Sequence, residues 1–290
     1  MNEGKMELKK RVQRVLTRRK FIYSAVGTVV AGATGYGFGV EPNLVKVCEV
    51  ELEIPMLPKS FDGLRAIQLT DIHFQKNSDH KLMEKVVEVV NSIDAKIILH
   101  TGDYVAEDTD SLPQLAEYLR EISNGRENFA ILGNHDVWHE SENYYRRFFD
   151  AIGIELLVNE SATLKRNGET LPIVGVDSVW GNPNVKKSFI GVHQKQAAIT
   201  LMHEPDYFDE IIKEREVLCQ LSGHTHGGQC RIPIINYAPV SVKYGKKYQY
   251  GYFSKGESRQ LFVSSGLGTT GLRVRFSCQP EVVVHTLRAK

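Results

Sequence analysis

The sequence predicts an α/β fold. Three observations carry that expectation. Short apolar runs alternate with amphipathic helical patterns along most of the chain, an Asn167-Gly168 pair separates two apolar runs, and several runs stop at Asp, Asn or His. Alternating strands and helices make a sheet with helices on its faces, and Asn-Gly between apolar runs is a strong hairpin signal.

Taken in order, the chain opens with a basic segment. Residues 1–20 hold eight Lys or Arg and two Glu, a surplus of six, so the remainder of this +1 chain carries a net charge of −5. A mildly acidic body argues against general nucleic-acid binding. The pair Arg18-Arg19 precedes residues 21–40, which contain no charge and are rich in Gly and Ala. This start resembles a twin-arginine export signal, with Ala31-Gly32-Ala33 offering a small-residue cleavage site. If retained, the stretch is long enough to cross a hydrocarbon layer of about 30 Å. The basic flank would then stay on the cytoplasmic side, leaving the body in the periplasm or cell envelope, tethered to the membrane.

Residues 41–59 read as a lead-in containing one strand, Lys46 to Ile54, and residues 60–290 as one catalytic domain. Within it, a strand at 64–70 ends at Asp71. A helix at 79–93 follows, with Leu82, Val86, Val87, Val90 and Ile93 on one face. A strand at 96–100 leads to Asp103, then a helix at about 110–123 with Pro113 in its first turn. A strand at 128–132 leads to Asn134, then a helix at 141–152. The hairpin Ala162–Arg166 and Leu171–Val176 follows, then a strand into His203, a helix at 206–214 and a strand into His224. From 229 on the chain reads as β segments, including Gln260–Val263 and Val282–Leu287. The four cysteines form no Cys-x-x-Cys pair, which is not a zinc-ribbon pattern.

The polar groups recur at one kind of place. Asp71-Ile72-His73, Gly102-Asp103, Gly133-Asn134-His135-Asp136, His203 and Gly223-His224-Thr225-His226 each follow an apolar strand. In open α/β sheets, sites form outside the carboxyl ends of strands. A carboxylate such as Asp103 can bridge two ions; Asn134 adds a carbonyl oxygen, and His73, His203, His224 and His226 add imidazole nitrogens. A nitrogen and oxygen set without thiolate suits two divalent ions, Mn, Fe or Zn. Two dications outweigh two carboxylates and a bridging hydroxide, so the centre attracts a phosphate anion, and coordination makes hydroxide available near neutral pH. His135 follows a ligand position and points beside the site, as a general acid for the leaving oxygen. Asp136 either orients that imidazole or makes a structural turn hydrogen bond. Trp138 and His139 are candidates to line a substrate pocket, and His100 to support the ligands.

In this order the motifs resemble the calcineurin-like metallophosphoesterases, over about residues 60–290. The resemblance implies a four-layer α/β/β/α sandwich of two mixed sheets. It also implies one metal on Asp71, His73, Asp103 and His226, and another on Asp103, Asn134, His203 and His224. Glu41-Pro42, Gly102-Asp103-Tyr104-Val105, His203-Glu204-Pro205-Asp206, Gly227-Gly228-Gln229 and Pro280-Glu281-Val282 are similar to an exported or membrane-tethered bacterial phosphodiesterase branch. That branch includes lipid A pathway enzymes that cleave the pyrophosphate of UDP-2,3-diacylglucosamine. Gly102-Asp103-Tyr104 lacks the Asp-Arg-Gly extension of protein Ser/Thr phosphatases, which disfavours protein substrates.

The expected function is hydrolysis of phosphodiester or phosphoanhydride bonds by a monomer, with a metal-bridging hydroxide as nucleophile and His135 as acid. The substrate is a phosphodiester or pyrophosphate, with a lipid-linked one in view. The alternatives are a UDP-2,3-diacylglucosamine pyrophosphohydrolase of lipid A biosynthesis and a non-catalytic, metal-stabilised envelope binding module.

Overall fold

The computed structural model describes residues 3–76, 78–233, 235, 237–238 and 242–290, and within the first helix the side chains of residues 6, 7, 11 and 17–39. That helix, α1 (Glu3–Gly39), has 37 residues, a length of about 55 Å. Its apolar portion is long enough to span a membrane and is almost wholly outside the body, which fits a signal or a membrane anchor. It meets the body at its last turns, where Arg275 N–H donates to Gly37 O at 3.0 Å and Tyr36 packs edge-on against Phe276.

Two six-stranded mixed sheets make the body. The first contains β1 (Lys46–Ile54), β2 (Arg65–Leu69), β3 (Ile97–His100), β4 (Glu127–Ala130) and β5 (Glu155–Leu156). The second contains β6 (Glu160–Arg166), β7 (Glu169–Gly175), β8 (Ile199–Leu201), β9 (Leu218–Ser222), β10 (Gly251–Lys255) and β11 (Arg259–Val263). The last strand, β12 (Glu281–Ala289), returns to the first sheet, giving the order β1-β12-β2-β3-β4-β5; the second runs β10-β11-β9-β8-β7-β6. β1 pairs with β12 in parallel over its whole length. The strand expected in the lead-in is therefore an integral edge of the first sheet.

Side chains alternate across each strand, and the alternation sorts the core into three slabs. Ile67 and Leu69 of β2 and Val282 and Val284 of β12 face outward, under α2 (His80–Ser92) and α3 (Leu112–Ser123). Val283 and Leu287 face inward and meet Ile173, Ile199, Leu201 and Leu221 of the other sheet. Val174, Ala198 and Met202 face outward again, under Phe208 and Ile211 of α7 (Phe208–Ile211), with α6 (Val185–Ser188) beside it. The result is the four-layer α/β/β/α sandwich. Each fully buried Leu, Ile or Phe stabilises it by about 1.5–3 kcal/mol.

The inner slab is not wholly apolar. Gln68 donates to Thr101 Oγ1 and to Ser222 O, both at 3.0 Å, the second bond crossing from β2 to the end of β9. His285 donates to Gln68 Oε1 at 2.9 Å. Burial lowers the His285 ring to about 3 and so holds it neutral. These bonds bring the carboxyl ends of the two sheets together beneath the site.

Several elements depart from the sequence expectations. The helix expected at 206–214 is a 3₁₀ turn, Pro205–Tyr207, followed by the four-residue α7. Between the expected strand at 128–132 and helix at 141–152 lies a further six-residue helix, α4 (Asn134–His139), separate from α5 (Glu142–Asp150). Asp136 makes that helix possible by accepting the N–H of Gly133, the residue before it, at 2.8 Å.

Candidate metal centre

Three parallel strands of the first sheet and two of the second deliver the polar motifs to one place. β2 leads to Asp71 and His73, β3 to Asp103, and β4 to Asn134 through α4. From the second sheet, β8 leads to His203 and β9 to His224 and His226. All seven side chains are buried. Three groupings present ligand atoms within 4.8 Å of one another: Asp71 with His73 and His226; His73 with Asp103 and His135; and Asp103 with His203 and His224. Asp103 Oδ2 lies 3.2 Å from His73 Nε2 and 3.1 Å from His203 Nε2, between the groupings. Asp71 Oδ1 lies 3.4 Å from His226 Nε2.

The backbone is shaped for this convergence. Asp71, His73, Asp103, His224 and His226 all adopt positive φ, between 44° and 73°. Such conformations cost energy outside glycine and concentrate at functional sites. The turns leave room for glycine alone at two neighbours. A Cβ on Gly133 would collide with the Asp103 carboxylate, and one on Gly223 with the Asp71 carboxylate and the Thr70 hydroxyl.

Outer partners fix the rings. His203 Nδ1 donates to Thr101 O at 2.6 Å, which aims Nε2 inward. His224 Nε2 donates to Lys243 O at 2.8 Å, which leaves Nδ1 for the centre. Carbonyl partners of this kind set the tautomer and orientation of metal-binding histidines. Asn134 Oδ1 and both ring nitrogens of His226 are buried without a hydrogen-bond partner. Buried polar atoms ordinarily have one, so a cation is the missing complement, and nitrogen and oxygen donors suit a divalent ion.

The donor side chains are also strongly coupled to one another. Burial pushes the Asp103 carboxyl up, but the facing His203 and His73 rings outweigh it and hold it well below its usual range. Burial pulls His203 down, and Asp103 overrides it, raising the ring well above its usual value. Burial, with the neighbouring His203 ring acting in the same direction, lowers His224 to about 4. Burial raises Asp71, which accepts the His224 N–H at 2.9 Å and the Thr70 hydroxyl at 2.8 Å.

His135 stands at the rim. Its ring is 4.6 Å from that of His73, edge-on, and its Nδ1 donates to Ala106 O at 2.8 Å, so Nε2 is the free end. Asp136 does not touch that ring. It accepts the backbone N–H groups of Gly133, Asp103 and Tyr104 at 2.8–2.9 Å, tying the Asp103 turn to α4. Of the two roles open to Asp136, its contacts are those of the structural one, and Ala106 O takes the orienting part. His100 is buried in β3 beside Tyr104, its ring lowered to about 4 by burial. His139 lies behind His135, 6.3 Å away.

A cavity of about 180 Å³ opens over the cluster, lined by Asp103, His135, Trp138, Trp180 and His224 among others. Sequence reasoning missed two supports. Glu204, next to His203, accepts from the Ser178 hydroxyl at 2.6 Å and Val179 N–H at 3.1 Å, setting the loop that carries Trp180 against His224. Arg275 is fully buried and donates to the carbonyls of Ser265, Gly266, Gly268 and Cys278. Those bonds hold residues 265–268 against Asp71. Glu204 stands in the His203-Glu204-Pro205-Asp206 run, which says nothing of its partners, and Arg275 sits in no recognisable motif; only the fold brings these contacts to the site.

The calcineurin-like phosphoesterase profile matches residues 64–228. The metallophosphoesterase YkuE of Bacillus subtilis is 31% identical over 94% of this chain and 98% of its own length. Phosphodiesterase YaeI of Escherichia coli is 26% identical over 94% of this chain and 100% of its own. UDP-2,3-diacylglucosamine pyrophosphatase LpxG of Chlamydia trachomatis is 26% identical over 84% of this chain and 89% of its own. With the sandwich, the buried histidine and aspartate clusters and these likenesses together, the chain belongs to the calcineurin-like phosphoesterase family of metal-dependent phosphoester hydrolases.

Proposed function

We propose that this protein hydrolyses phosphodiester bonds, and by the same chemistry phosphoanhydride bonds, with two divalent ions held by Asp71, His73, Asp103, Asn134, His203, His224 and His226. The observation that most directly supports the reading is the fixed inward aim of His203 Nε2 and His224 Nδ1 around the Asp103 carboxylate. Such ions supply positive charge that polarises the phosphate and acidifies the attacking water. The chain's own part begins with Asp103, whose carboxylate joins the two halves of the donor set. His135 then acts at the rim. Its Nδ1–H is committed to Ala106 O, so a proton on Nε2 passes to the leaving oxygen as the phosphorus–oxygen bond breaks and the water oxygen bonds to phosphorus. Trp138 and Trp180, in edge-on contact at 5.5 Å, narrow the mouth against bulk water.

The test is hydrolysis of bis-p-nitrophenyl phosphate with added metal. Turnover is expected with at least one of Mn, Fe, Zn or Co. Inactivity with all four, in protein that holds the metal, would instead favour the binding-module reading.

A second, narrower reading is hydrolysis of a lipid-linked pyrophosphate. It is supported by the name of the Chlamydia relative, by the apolar helix α1 and by the exposed indole of Trp138 at the mouth. Release of UMP from UDP-2,3-diacylglucosamine is its readout; turnover of simple diesters without that release leaves the broader reading standing alone. We also read the Arg18-Arg19 start as a twin-arginine signal that leaves the body outside the cytoplasm. Retention of the protein in the cytoplasm when the twin-arginine pathway is blocked is the expected result.

A further inference from the structure

We propose that the described residues of the loops at 229–249 and 266–280 form a membrane-docking face, seated on an anionic bilayer that α1 enters, so that the metal centre opens towards lipid. Both loops combine exposed apolar side chains with positive charge. Ile232, Ile235, Tyr237 and Leu272 are 50–68% exposed. The other large exposed apolar residues of the body, such as Val47, Met56, Ile190 and Tyr252, are dispersed over separate elements, as surfaces normally allow. Across the two loops the sequence places Arg231, Lys243, Lys246, Lys247, Arg273 and Arg275 and no Asp or Glu. Arg275 is spent inside the fold, Arg231 donates to Gly227 O and lies over the Tyr250 ring, and Lys247 and Arg273 pair with Asp209 and Asp79 of neighbouring elements. This bias stands against a body that is otherwise acidic. Apolar side chains among Lys and Arg are the composition of a surface that lies in the headgroup layer of anionic lipid.

The position of this face is fixed by α1. Residues 229–231 pair with Phe276, with Phe276 N–H donating to Gln229 O at 3.0 Å and Arg231 N–H to Phe276 O at 2.8 Å. Ile232 N–H donates to Tyr237 O at 2.8 Å, folding the first loop back on itself. Phe276 packs on Tyr36, and Arg273 donates to Asn43 Oδ1 at 2.7 Å. Residues 229–232, Tyr237, residues 273–276 and the last turns of α1 are thus one contiguous surface, on which Tyr36, Phe38 and Val40 are also exposed. A bilayer that takes the helix meets these loops first. The same segment reaches the metal centre: Gln229 Oε1 accepts the N–H of Thr270, which lines the cavity over the cluster. Six residues separate Thr270 from Phe276, a span of at most about 22 Å. Access by a lipid-borne substrate follows from this placement and rests on the proposed hydrolase reading; the docking itself does not.

The experiment places the full-length protein in vesicles of phosphatidylcholine and phosphatidylglycerol with brominated acyl chains, which quench nearby tryptophan. Leu272→Trp and Ile235→Trp are read against Met56→Trp, with the wild-type signal of Trp138 and Trp180 subtracted. Met56 lies past the far end of β1, whose start is next to α1, roughly 26 Å along the strand. The added tryptophans at 272 and 235 should be quenched at least about twofold more than the one at 56. Equal quenching at all three positions, or none at 272 and 235, overturns the proposal. The two loop variants are independent, so poor folding of one leaves the other as the test. Because quenching reads position and not turnover, its failure beside normal bis-p-nitrophenyl phosphate hydrolysis removes the docking face alone; loss of hydrolysis in well-quenched protein removes the reaction instead.

Discussion

The two sheets contribute unequally to the centre between them. Of the proposed donors, the first carries the oxygens, Asp71, Asp103 and Asn134, with His73 the one imidazole among its four groups. The second supplies nitrogen alone: His203, His224 and His226. Neither set suffices, because a set dominated by oxygen with one imidazole is a hard site, and three imidazoles lack a bridging group. The cluster exists where the carboxyl ends of both sheets are held together. That is the work of the inner slab, where Gln68 of the first sheet donates to Ser222 O at the end of β9. The difference teaches that the site is a property of sheet packing as much as of its motifs.

The comparison can be broken most severely at Asp103, the group shared by both sides. Asp103→Ala is expected to abolish turnover and to lower bound metal together, measured by bis-p-nitrophenyl phosphate hydrolysis and elemental analysis. Retained metal at the wild-type level would show that Asp103 does not join the halves. His135→Ala is the next largest effect, a loss of roughly 10²–10⁴-fold in turnover. The seven proposed donors remain, so metal content should be unchanged; a parallel loss of metal would make His135 a ligand, an outcome its place beside His73 and Asp103 makes informative.

Gln68→Leu sharpens the packing side. It leaves Ser222 O, Thr101 Oγ1 and His285 Nε2 without their partner, and unpaired buried polar groups are expensive. A loss of about 2–3 kcal/mol in denaturant unfolding of chelator-treated protein is expected, with weaker metal binding. The smallest effect concerns His285. Its folded value, about 3, lies below the unfolded value near 6.5. Above that pH both states are neutral and the ring costs nothing. As the pH falls from about 6.5 towards 3, the unfolded chain takes up a proton the folded one refuses, and stability declines. At pH 5 the cost is about 2 kcal/mol. His285→Gln should remove that share of the drop between pH 7 and pH 5, and an unchanged drop would mean that His285 protonates inside the fold.

Much of this was legible in the residues themselves. The strand at Lys46–Ile54 and the hairpin about Asn167-Gly168 follow from period-two patterning and turn chemistry, and α2 from its apolar stripe. The polar motifs stood out because each follows an apolar run. Other features were hidden for physical reasons. The return of β12 between β1 and β2 is a long-range pairing with no local signature. α7 is short, and Val185, Phe189 and Tyr248 from other segments share with Phe208 and Ile211 the cover of the second sheet's outer face. Positive φ at Asp71 or His226 is invisible in a sequence, since Asp and His tolerate that conformation without demanding it. The binding of His224 to Lys243 O and the role of Ala106 O are backbone contacts, which side-chain patterns do not encode. Asp136 was readable only as far as two alternatives, and the position of the Gly133, Asp103 and Tyr104 amides separates them.

The central claim is that side chains from both sheets hold a pair of cations around Asp103. Crystals of the metal-loaded protein, with anomalous scattering collected at the edge of the added metal, test it most directly. Two peaks about 3.5–4 Å apart are expected, one nearer His73 and His226, the other nearer His203 and His224, with Asp103 between them. A single peak, or two peaks on the same sheet's residues alone, would contradict it.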